Sequence, residues 1–72
     1  MTLCYYEGYL RNRRQLCREL DLPDETAEQA ILEAGYRRWG ADLVHRLYGA
    51  FAFAFRSQDD GSLFCARDQI GL

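Results

Sequence analysis

The chain has 72 residues, 49% hydrophobic and 28% charged, which suits one small globular domain and argues against a disordered tract. Nine arginines against eleven acids leave a net charge of −2, so neither nucleic acid nor an anionic membrane is expected as the main partner. No apolar run approaches the roughly 20 residues of a membrane span, and no signal peptide is recognised. Cys4, Cys17 and Cys65 are odd in number and unevenly spaced, which is not a disulfide framework. With His45 as the single histidine, no metal site is expected, and reduced thiols fit a cytoplasmic protein.

Residues 3–10 are rich in aromatics and predict a strand broken at Gly8. Asn12 is placed to cap a short helix over residues 13–20, with Leu16 and Leu20 on one face. Asp21-Leu22-Pro23-Asp24 predicts a break, because Pro23 has no amide donor. A second helix is predicted over residues 25–39, with Ala27, Ile31, Leu32, Gly35, Tyr36 and Trp39 as its apolar stripe. Asp24, Glu25 and Glu28 suit its positive end, and Arg37 and Arg38 its negative end. A third, shorter helix over residues 41–47 presents Leu43, Val44 and Leu47.

The pattern then changes period. Ala50-Phe51-Ala52-Phe53-Ala54-Phe55 alternates strictly, as a strand does, and two apolar faces predict burial on both sides. Asp59-Asp60-Gly61 marks a turn, and residues 63–66 return as the second arm of a hairpin. The order strand, helices, hairpin predicts an α+β fold with a largely antiparallel sheet.

Four blocks of this sequence, residues 6–16, 36–40, 47–54 and 63–72, together resemble the class II glutamine amidotransferase domain of asparagine synthetases. Tyr6-Glu7-Gly8-Tyr9-Leu10-Arg11-Asn12-Arg13-Arg14-Gln15-Leu16 is similar to its F-N-G-E-I-Y-N-Y-R-E-L stretch. Tyr36-Arg37-Arg38-Trp39-Gly40 resembles A-Y-x-x-W-G, and Leu47-Tyr48-Gly49-Ala50-Phe51-Ala52-Phe53-Ala54 resembles L-x-G-M-F-A-F-A. Leu63-Phe64-Cys65-Ala66-Arg67-Asp68-Gln69-Ile70-Gly71-Leu72 resembles L-F-L-A-R-D-R-F-G-I. The resemblance implies part of an N-terminal-nucleophile antiparallel sandwich, with residues 1–72 as a partial glutamine amidotransferase domain. In that family an N-terminal cysteine attacks the side-chain amide of glutamine, and the ammonia passes to an ATP-dependent synthetase domain. On this expectation the nucleophile lies upstream of the match and the synthetase domain downstream. ATP and magnesium then belong to that further domain, and this chain carries no cofactor of its own.

The same resemblance points to site residues. The family's N-G-E motif supplies an asparagine side chain and a glycine backbone to an oxyanion hole, and here reads Glu7-Gly8-Tyr9. Gly8 matches. Glu7 places an acceptor where a donor is needed, and Tyr9 stands where the family has an acid for the substrate's amine. A second family acid aligns with Glu28, which has one more methylene. These four residues are the degenerate substrate-binding set, and the pattern argues against glutamine hydrolysis. Arg67 and Asp68 are read as a structural ion pair or interdomain contact. Thr2, Cys4 and His45 are weighed as catalytic groups and set aside, Cys4 being read as a strand-core thiol and His45 as a surface or partly buried residue. Arg11, Arg13, Arg14 and Arg18 are read as a solvated face.

The leading expectation is therefore a partial asparagine-synthase-like protein, inactive by itself, with glutamine as a partner only where the site is intact. One alternative is a piece of a non-hydrolysing relative, of the asparagine-synthetase-like cyclases that make lasso peptides or β-lactams. Another is a stand-alone interaction module that self-associates through exposed sheet edges.

Overall fold

Alternating phenylalanine and alanine dictates a strand whose two faces differ in bulk, and that strand is the centre of the sheet. The computed structural model describes residues 2–68, and its elements follow in order. They are β1 (Thr2–Leu10), α1 (Arg13–Leu20), α2 (Glu28–Trp39), a 3₁₀ segment (Gly40–Arg46), β2 (Gly49–Arg56) and β3 (Leu63–Arg67). The fold is α+β, with one antiparallel sheet in the order β1-β2-β3. Gln69, Ile70, Gly71 and Leu72, which close the last matched block, lie outside the described residues, as does Met1.

The register explains which side chains share a face. Tyr6 pairs with Phe53 and Gly8 with Phe51, while Glu7 pairs with Ala52 and Tyr9 with Ala50. Phe53 pairs in turn with Ala66, and Ala52 with Arg67. One face therefore carries Phe51, Phe53 and Phe55, all at most 6% exposed, under the helices. Phe55 stacks on Tyr36 of α2 with ring centroids 4.6 Å apart. Leu16 and Cys17 of α1, Ile31 and Leu32 of α2, and Leu43 of the 3₁₀ segment complete this core. All three cysteines read from sequence as small buried apolar residues; Cys17 is one, but Cys4 and Cys65 are corrected to exposed positions on the sheet. Between Leu3 and Tyr5 the register shifts, and Cys4 is the extra residue of this bulge.

The opposite face carries Glu7, Tyr5, Tyr9, the alanines and Arg67. Its alanines are only half-buried, so the expected burial on both sides is corrected to burial on one. Among the described residues, all three helical segments pack on the phenylalanine face.

Several boundaries differ from expectation for identifiable reasons. β1 runs unbroken through Gly8 rather than stopping there. Glycine is nevertheless required, because its φ is +107° and a Cβ would sit 2.1 Å from the Ala50 carbonyl oxygen. α2 starts at Glu28, three residues later than predicted. Residues 23–26 form a turn instead, in which the Thr26 N–H and hydroxyl both donate to the Pro23 carbonyl, at 3.1 and 2.7 Å. Arg13 donates to the Asp24 carbonyl at 2.6 Å and to the Thr26 carbonyl, so those acceptors serve Arg13 rather than a helix. Arg13 is thereby half-buried and drawn out of the expected solvated face, while Arg11, Arg14 and Arg18 stay exposed. Asn12 precedes α1 but makes no side-chain cap. Its amide donates to the Arg46 carbonyl at 2.9 Å, and its carbonyl accepts from the Tyr48 N–H at 3.1 Å. Asn12 therefore ties the start of β2 to the end of β1. The third predicted helix is a 3₁₀ segment. Arg46 closes it, with its guanidinium 4.5 Å from the Trp39 ring centroid and 3.4 Å from Glu19.

Candidate functional site

Residues as far apart in sequence as Glu7 and Asp68 meet where the three strands adjoin. A cleft of about 290 Å³ is lined by Glu7 and Gly8 of β1, Ala50, Phe51 and Ala52 of β2, and Arg67 and Asp68 at the end of β3. The register builds it. Glu7 and Arg67 are both cross-strand partners of Ala52, so an acid and a base flank one methyl group. An alanine at that position leaves room where a larger side chain would fill the cleft. Gly8 brings backbone to the wall, and its close approach to Ala50 excludes any side chain on the strand there.

Asp68 anchors the third wall. It is 7% exposed. Its N–H donates to the Phe51 carbonyl at 3.0 Å, and its carboxylate accepts from the Phe51 N–H at 3.4 Å. These bonds extend the β2–β3 ladder one residue past β3. Phe51 and Asp68 also line a neighbouring cleft of about 330 Å³ with Val44, His45, Leu47, Tyr48 and Gly49. His45 is exposed at its rim, on the 3₁₀ segment.

The predicted site residues do not all converge. The structure brings Glu7, Gly8, Arg67 and Asp68 into one cleft. Tyr9 lies on the same face as Glu7, 56% exposed, but does not line the cleft. Glu28 sits apart, half-buried at the start of α2. One of its oxygens accepts from the Tyr6 hydroxyl at 2.5 Å and the other from the Leu10 N–H at 3.1 Å. Burial first, then the bond to Glu28, hold the Tyr6 phenol well above the usual tyrosine range. Hydrogen bonding to Glu7, with slight desolvation and the Glu7 charge, raises the exposed Tyr5 phenol as well.

Sequence reasoning does not single out Tyr6 or Ala52 as site residues. Ala52 is found only by pairing Glu7 and Arg67 across β2, which needs both strand registers. Tyr6 carries no sequence signal for its bond to Glu28, because the two are 22 residues apart. Thr2, Cys4 and His45 stay outside the cleft. The Thr2 hydroxyl accepts from the Gln58 amide at 3.2 Å, the Cys4 thiol donates to the Ala54 carbonyl at 3.4 Å, and His45 lines only the neighbouring cleft. Among the described residues no group of three potential metal ligands occurs, and no helix is long and apolar enough to cross a membrane.

Comparison with known proteins finds one matching family model and several relatives. A family model described as a glutamine amidotransferase domain matches residues 1–72. A Mycobacterium tuberculosis protein named "Putative asparagine synthetase (glutamine-hydrolyzing)" is 50% identical over 44 residues, covering 61% of this chain and 7% of that protein. The Mycobacterium bovis protein of the same name matches identically. A Methanocaldococcus jannaschii protein of similar name, numbered 2, is 29% identical over 68 residues, covering 93% of this chain and 13% of its own length. This chain thus spans a small part of the curated relatives it matches. No solved structure matches.

Proposed function

Because the chain belongs to the glutamine amidotransferase domain family, we propose that its cleft is a glutamine-side-chain seat that binds the carboxamide and does not hydrolyse it. The observation that carries this reading is the convergence of Glu7, Gly8, Arg67 and Asp68 on one cleft, with a carboxylate at the motif position that the resemblance gives to an oxyanion donor. A primary carboxamide offers N–H donors, which Glu7 can accept. The tetrahedral intermediate offers a negative oxygen, which Glu7 repels. Acceleration requires interactions stronger in the transition state than in the ground state, and Glu7 works in the opposite sense.

In this reading the chain is part of an N-terminal-nucleophile sandwich within an asparagine-synthetase-like protein of the cytoplasm. ATP and magnesium serve a synthetase domain of that larger protein, and the whole-protein reaction is amide formation. Glu7 and Tyr9 also favour a second reading, a non-hydrolysing cyclase relative that closes an amide without ammonia. A third, self-association as an interaction module, is favoured by the two edge strands β1 and β3 and by Tyr5, Tyr9 and Leu63, which are 49–60% exposed. The test is direct: the chain is titrated with L-glutamine while amide NMR signals and free ammonia are followed. Shifts at Gly8 and Ala52 without ammonia are expected. Ammonia production, or binding that leaves these signals in place, would overturn the proposal.

A further inference from the structure

Both hydrogen bonds of the Glu28 carboxylate among the described residues come from β1. Its two acceptor bonds go to Tyr6 and Leu10, two residues before and two residues after Gly8. Tyr6, Gly8 and Leu10 share one side of the strand, since side chains alternate, and Glu7 points to the other. The bond from Tyr6 joins a hydroxyl donor to a carboxylate acceptor, the charge-assisted kind. The bond from Leu10 satisfies a backbone donor on an edge strand. Glu28 also stands in the first turn of α2, where the helix favours a negative charge. It does not line the cleft.

We infer that Glu28 is a positioning residue: its carboxylate straps β1 on both sides of Gly8 and so sets the Glu7–Gly8 wall of the cleft. It holds that wall from behind and does not meet the ligand. Gly8 needs such a strap, because its backbone at φ +107° lies in a region without strong intrinsic preference for one conformation. A recognition consequence rests on the proposed glutamine seat: selection for the ligand's α-ammonium does not pass through Glu28.

The test uses Glu28→Gln and the milder Tyr6→Phe in the full chain. In Glu28→Gln the Leu10 amide is expected to exchange about tenfold faster or more, as a charged bond is lost. The Gly8 and Glu7 amide signals are expected to shift, and in Tyr6→Phe to shift less. A Glu33→Gln control on the same helix leaves them in place. The ratio of affinities for L-glutamine and glutaramate, which lacks the α-amine, is expected to be the same in Glu28→Gln as in the unaltered chain. A selective loss of glutamine binding would show that Glu28 contacts the ammonium and overturn the inference. So would Gly8 and Glu7 signals unchanged in both variants. If neither ligand binds, the glutamine seat fails, while the amide shifts still decide the strap; if Glu28→Gln does not fold, Tyr6→Phe decides it.

Discussion

Replacing Gly8 with alanine tests how the cleft wall is made. Two costs add. Holding a non-glycine residue at φ +107° costs about 1–3 kcal/mol. The added Cβ would also lie 2.1 Å from the Ala50 oxygen and 2.8 Å from the Phe51 Cα, both backbone atoms, so the strands must separate. Overpacking of this kind costs about 1–3 kcal/mol more. The total is about 2–6 kcal/mol, against roughly 4–11 kcal/mol for the whole stability of a chain this size. Gly61 supplies the control. It lies in the hairpin turn at φ +74°, and a methyl group there would meet nothing within 4 Å, so its alanine variant bears the backbone cost alone. Urea unfolding followed by Trp39 fluorescence measures both. Gly8→Ala is expected to fall below Gly61→Ala by at least about 1 kcal/mol, the overpacking cost. Equal midpoints would refute the close-approach argument.

Phe55→Ala removes a fully buried ring stacked on Tyr36 and is expected to cost about 3–5 kcal/mol in the same unfolding assay. Asn12→Ala removes two bonds across the junction of β1 and β2 and is expected to cost about 1–2 kcal/mol, with Asn12→Asp recovering part of it, since only the acceptor remains. The Tyr6 phenol is raised above its ordinary 10.0, so its stabilising contribution is complete below about pH 10 and is lost as pH rises further. Absorbance at 295 nm is expected to show one tyrosine titrating last, and Tyr6→Phe to remove that phase. The Ser62 N–H, 3.0 Å away, lowers the Asp60 pKa below its ordinary 3.8, so its contribution holds above that pH and is lost in acid. Asp60→Asn is expected to flatten that acid limb.

Much of this fold was legible because the patterns were local. Period-two alternation located β2, and helical spacing found the buried Ile31, Leu32 and Gly35 of α2. What failed was decided by distant partners. Asn12 looks like a helix cap until Arg46 and Tyr48 arrive beside it. Residues 25–27 look helical until Arg13 takes the carbonyls around them. Gly8 reads as a break in one strand, yet its necessity comes from the neighbouring strand. The candidate site was half legible for the same reason. The family resemblance marked Glu7, Gly8, Arg67 and Asp68, but only the paired registers set Glu7 and Arg67 on either side of Ala52. Glu28 was marked by alignment alone, and its two bonds to β1 depend on how α2 packs.

The most direct test of the central claim uses L-glutamine carrying nitrogen-15 in its side-chain amide. Added to the chain, its carboxamide signal is predicted to shift or broaden and then persist. A growing nitrogen-15 ammonium signal that depends on the protein would contradict the proposed seat, in which Glu7, at the motif position the resemblance gives to an oxyanion donor, is expected to hold the amide without turning it over.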